Sequence, residues 1–164
     1  MTDTTTVSMW STLIPVMVGG VIGLVGGWLG PWLVERRKEV AEKKKKRAEK
    51  FEELVAAVVE HGLWIKALSY FTISGHGSEP PLSPMTKIEA IGSTHFPEFE
   101  VLVREFDSVS NKYEIWIYDM GQKRVRNEPG YESLPGHGEV LKNYMDKRAE
   151  FLMELRNFAR REFQ

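Results

Sequence analysis

The chain has no cysteine among its 164 residues. That excludes disulfides, thiolate nucleophiles and cysteine-ligated zinc, and it is compatible with a reducing compartment. Histidine is scarce: His61, His76, His95 and His137 are the full set. The period-two alternation of a half-buried strand is missing; residues 113–118 are β-prone in isolation, but their neighbours keep a helical phase. The most telling lack is local. Residues 9–34 carry no charged side chain at all.

An apolar stretch of that length reads as a membrane-spanning helix. Residues 13–33, at about 1.5 Å of rise each, cover about 31 Å against a hydrocarbon core of roughly 30 Å. A cleavable secretory signal is the competing reading and fits poorly. Residues 1–8 hold Asp3 and no base, the apolar stretch is too long, and no small-x-small cleavage site precedes the charges that follow. Trp10 toward one end, with Trp28 and Trp32 toward the other, suits the aromatic belts at headgroup level.

Charge returns abruptly after the span. Residues 35–50 hold nine bases (Arg36, Arg37, Lys38, Lys43, Lys44, Lys45, Lys46, Arg47, Lys50) against four acids (Glu35, Glu39, Glu42, Glu49), a net of +5. Cytoplasmic ends of spanning helices carry this excess, so the expected topology is single-pass, with residues 1–8 outside and the C-terminal domain in the cytoplasm of a cell membrane. With Asp3 and that block set aside, the whole-chain charge of −1 leaves residues 51–164 at −5. Basicity confined to a juxtamembrane block predicts contact of Arg36, Arg37, Lys38 and residues 43–47 with anionic lipid headgroups. A nucleic-acid partner is not expected, because the block lacks interleaved aromatics.

Glycines mark one side of the span. Gly19, Gly20, Gly23, Gly26, Gly27 and Gly30 fall within about a third of the helical circumference, and Gly19, Gly23, Gly27 and the pair Gly26, Gly30 are spaced four apart. Such small-x-x-x-small patterns let helices approach closely in lipid, so self-association or packing on a partner membrane protein is expected. The same glycines mimic a phosphate-binding loop, but no strand precedes them and no Lys-Ser or Lys-Thr follows. Gly30-Pro31 predicts an interruption or kink, since proline cannot donate to the carbonyl of Gly27.

The remainder reads as helices. A long charged helix over 35–74 becomes amphipathic from Phe51, with Leu54, Val58, Ile65 and Leu68 at three-four spacing. Its first part is a stalk with too few large apolar residues to pack, although Val40 and Ala48 would permit a weak coiled coil. Residues 75–81, rich in glycine and proline, break it. Ser83-Pro84 starts a short helix ending at Gly92. From Phe99 the spacing is clean: Phe99, Leu102, Phe106, Val109, Tyr113, Trp116 and Met120 form one seam. A connecting loop spans 121–138, with the preceding helix continuing at most to Arg126. The last helix, 139–163, presents Leu141, Tyr144, Met145, Phe151, Leu152, Leu155, Phe158 and Ala159 on one face. The fold class is therefore all-α: a single N-terminal transmembrane helix at 9–34, a basic stalk at 35–50, and an antiparallel cytoplasmic helical bundle at 51–164.

No catalytic constellation emerges. His76, His95 and Glu98 could meet near one connection, yet His-x-x-Glu is a common chance pairing and no second motif completes a metal site. His137-Gly-Glu139 lacks the downstream cysteines of a zinc deaminase. Ser78 and Ser93 lack the nucleophile elbow. His61 falls in register with Phe51, Leu54, Val58 and Ile65 and reads as a hydrogen-bonded core histidine. Tyr113, Trp116 and Tyr118 could stack a ligand but sit at packing positions. Neither an enzyme nor a cofactor is expected. A non-catalytic interaction or scaffold domain on a membrane anchor is the leading reading. Its rival is an oligomerising effector of the holin or toxin type, acting through the glycine-rich span.

Overall fold

The computed structural model describes residues 4–129 and 133–163, with side chains from residue 34 onward. Among the described residues the chain is all-helical, with four α-helices and no strand. Helix α1 runs Thr4–Ser69 and passes directly into a π-helical turn at Tyr70–Ser74; α2 is Met85–His95, a 3-10 turn covers Pro97–Phe99, α3 is Glu100–Val125 and α4 is His137–Glu162. The helical backbone continues through Gly30-Pro31, so the expected interruption is absent. One proline removes a single intrahelical bond, and the bonds on either side can carry the helix past it.

One helix, α1, is long and apolar enough to cross a membrane. Among described side chains the qualifying stretch is Val34–Ser74. Its apolar residues Leu54, Ala57, Val58, Ile65 and Leu68 are buried in the core of a compact unit, which accounts for their hydropathy without a bilayer. The charge-free run at 9–34 lies earlier on the same helix, and all of it but Val34 is outside the described side chains, as are the tryptophans and the glycine stripe read there.

The chain divides into two compact units, residues 1–46 and 47–164. In the first, the described side chains from Val34 to Lys46 are exposed. The second begins at Arg47, whose guanidinium lies 5.6 Å from the ring centroids of both Phe96 and Phe158 and whose Nη2 pairs with Glu98 at 2.7 Å.

Ring contacts fix the helix directions within this second unit. Phe51 meets Phe158 and His61 meets Tyr144, so α4 runs against α1. Phe99 meets Phe158, Phe106 meets Phe151 and Tyr113 meets Tyr144, so α4 runs against α3 as well. Helix α2 adds Met85, Ile88 and Ile91 to the same core. It approaches α3 closely at Gly92, where an added Cβ would sit 2.8 Å from Val103 Cγ2. Trp64 Nε1 donates to the Pro81 carbonyl at 2.6 Å, and Trp116 Nε1 to the Pro135 carbonyl at 2.9 Å, each tying a proline-rich connection to a long helix.

Helix ends differ from the sequence reading by a few residues. The second helix starts at Met85, its N–H donating to Ser83 Oγ at 3.3 Å, and extends past Gly92 to His95. The last begins at His137, preceded by Gly136 in the left-handed region at φ 76°. That conformation is accessible to glycine without steric cost.

Candidate functional site

Helices α1, α3 and α4 leave a cleft of about 450 Å³ between them, within the roughly 300–1,000 Å³ typical of small-molecule sites. Its apolar walls include Leu63, Ile65, Ile73, Leu141 and Met145, and its polar groups include Lys66, Ser69, Tyr113, Tyr144, His137 and Arg148. Among the described residues no carboxylate lines it. Tyr113 Oη and His137 Nε2 stand 3.4 Å apart across the α3–α4 end, beside Trp116, whose ring is 4.9 Å from His137.

Arg148 is the unusual residue of this cleft. On α4 the buried positions Tyr144, Phe151, Leu155 and Phe158 keep a three-four spacing, and Arg148 occupies the missing step of that series. It fits because it crosses α1 at Gly62, where a Cβ would lie 2.6 Å from Arg148 Cζ and Nε. Arg148 Nε reaches the Val58 carbonyl at 3.4 Å, and no carboxylate among the described residues pairs with it. Lys66, one helical turn beyond Gly62, adds a second positive charge on the same face of α1.

Behind the cleft is a buried polar row. His61 is fully buried, with Nδ1 3.0 Å from Tyr144 Oη and Nε2 3.9 Å from Glu114 Oε1. Desolvation, with a smaller contribution from the charge on Arg148, pushes the His61 pKa down to about 4. The imidazole is therefore neutral at neutral pH, and its approach to Glu114 is not an ion pair. Burial, reinforced by Asp107, raises the pKa of Glu114, and burial raises that of Tyr144. With Tyr144 protonated and His61 neutral, the consistent arrangement is Tyr144 O–H donating to Nδ1 and Nε2–H facing Glu114. His61 Nε2 and Ser110 Oγ have no hydrogen-bond partner within reach among the described residues.

The residues singled out from sequence are distributed as follows. Phe99, Phe106, Tyr113 and Met120 are buried, and Leu102, Val109 and Trp116 are half-buried. Val103, Ser110 and Ile117, passed over in the sequence reading, are buried too, so the packed face of α3 is turned toward them. Arg36, Arg37, Lys38 and residues 43–46 are exposed. Arg47 is exposed as well and pairs with Glu98 at 2.7 Å. Gly19, Gly23, Gly26, Gly27 and Gly30 lie outside the described side chains. Among the described residues no three His, Asp or Glu side chains converge to hold a metal ion. No family model, curated protein or solved structure matches the chain.

Proposed function

We propose that the chain is a single-pass membrane-anchored protein whose cytoplasmic helical bundle is a non-catalytic interaction domain. In this reading residues 9–34 cross the bilayer, residues 1–8 lie outside, residues 35–50 form a basic stalk, and residues 51–164 form an antiparallel bundle in the cytoplasm. The carrying observation is the order of chemistry along α1. A charge-free run is followed by a block of net charge +5 and then by core residues of a compact unit. The first two steps are what a spanning helix and its cytoplasmic flank require.

Exposure of Arg37, Lys38 and residues 43–46 supports contact with anionic headgroups. Val59 and Leu63 on α1, Tyr70 in the π-helical turn and Met145 and Met153 on α4 are exposed apolar side chains, which supports an interaction role for the bundle. The glycine stripe at 19–30 supports a homo-oligomer or a partner span.

Topology is tested cleanly because the chain has no native thiol. Single cysteines at Thr5 and Lys142 are labelled with a membrane-impermeant maleimide on intact cells and after lysis. Thr5→Cys should react on intact cells and Lys142→Cys only after lysis. The reverse pattern, or recovery of the protein in the soluble fraction, overturns the reading. The glycine stripe also favours a second reading, an oligomerising effector, which predicts that expression collapses membrane potential and that Gly23→Leu restores it.

A further inference from the structure

The cleft between α1, α3 and α4 holds two positive side chains, a set of hydroxyls and an apolar wall, and no negative group among the described residues lines it. Arg148 stands at a core-register position, laid across Gly62, with a long contact to one backbone carbonyl and no carboxylate partner among the described residues. A cation taken partly out of water without a counter-ion is costly, and a bound anion offsets that cost. Charge-assisted bonds from a guanidinium to carboxylate or phosphate are the strongest such completion, and the planar fork suits their geometry. Lys66, a turn along the same face, supplies a second donor, and the Tyr113 and Ser69 hydroxyls line the same space.

From these features we infer that the cleft binds a small organic anion with an apolar body, a carboxylate or phosphate ester whose acid group is held by Arg148 and Lys66. Leu63, Ile73, Leu141 and Met145 then cover the apolar part. Size agrees: about 450 Å³ takes a short-chain or single-ring acid and not a nucleic acid or a folded partner. The inference does not rest on the membrane anchor. An anchored chain could meet the same chemistry as a free metabolite or as a lipid headgroup, and the experiment separates the two.

Full-length protein in phosphatidylcholine nanodiscs is titrated calorimetrically with octyl phosphate, with protein-free discs as the blank, and then with uncharged octanol. One-to-one saturable binding is expected, with octanol about tenfold or more weaker, as befits loss of a charge-assisted bond. Arg148→Met should weaken octyl phosphate about tenfold while the protein still melts cooperatively. Should that variant not fold, Lys66→Met at its exposed position takes its place, with weakening expected there as well. Octanol binding as tightly as octyl phosphate overturns the inference, as does an unchanged affinity in the folded variant or the absence of saturable binding. Repeating the titration in discs doped with phosphatidic acid identifies the source. A weakened apparent affinity assigns the cleft to a lipid headgroup, and an unchanged one to a free anion.

Discussion

The Tyr144 hydroxyl lies 3.0 Å from Nδ1 of His61, joining α4 to α1 inside the core. Three rings surround the contact: Trp64 and Phe106 stand 5.5 and 5.2 Å from His61, and Tyr113 stands 5.5 Å from Tyr144. An apolar pair could slide by a turn at modest cost, whereas this pair is satisfied in one register, since any other leaves a buried polar group unpaired.

Burial of His61, reinforced by the charge on Arg148, makes stability depend on pH. The His61 pKa is depressed from its ordinary 6.5 to about 4, so between those values the unfolded chain binds a proton that the folded chain refuses. Its contribution is fully present above pH 6.5 and is lost as pH falls toward 4, by an amount on the order of 3 kcal/mol. Unfolding midpoints in urea measured across that window should fall as pH falls, and His61→Leu should flatten the dependence. An unchanged slope in the variant would locate the titration elsewhere.

Two buried hydroxyls should respond oppositely to deletion. Tyr144→Phe leaves His61 Nδ1 buried without its partner and should cost about 1–3 kcal/mol. Ser110 is also fully buried, but its Oγ has no partner among the described residues, so Ser110→Ala should be neutral or stabilising. Urea titrations of both variants, read as changes in midpoint at constant slope, check the contrast.

Helical period was legible where apolar side chains mark it, as on α1 from Phe51 and on α4. It misled on α3, where Ser110 breaks the apolar series and drew attention to Leu102, Val109 and Trp116 at the edge rather than Val103 and Ile117 in the core. The same bias hid the cleft. Arg148 sits in the α4 core series, yet a charged residue is discounted when apolar spacing is counted, and Gly62, which makes room for it, has no hydropathy signature. The partner of His61 was out of reach for another reason: Tyr144 is 83 residues away, and only tertiary packing brings the rings together.

Phe158 is the hub of an aromatic cluster, meeting Phe51, Phe96, Phe99 and Phe163 at 5.1–6.1 Å, with the Arg47 guanidinium over its ring. Phe158→Ala should cost about 3–5 kcal/mol, because neighbours from α1, the 3-10 turn and α4 cannot all collapse into one void. Phe163→Ala, at an exposed position, should cost far less. Calorimetric melting temperatures of the two variants decide whether the cluster behaves as a hub.

Two glycine-to-alanine changes should differ in sign for a reason visible only in three dimensions. Gly138 is in the first turn of α4 with nothing within 4 Å of an added Cβ, so Gly138→Ala gains helix propensity and should stabilise by about 0.5–1 kcal/mol. Gly121 is buried on α3 against Thr72, whose Cγ2 an added Cβ would strike and whose carbonyl oxygen it would meet at 3.0 Å. The carbonyl belongs to the π-helical turn Tyr70–Ser74 and cannot move without disturbing the end of α1. Gly121→Ala should therefore destabilise despite the same propensity gain. Equal and positive shifts in melting temperature for both would show that the turn yields freely; a loss confined to Gly121→Ala would show that close contact with α3 holds its shape.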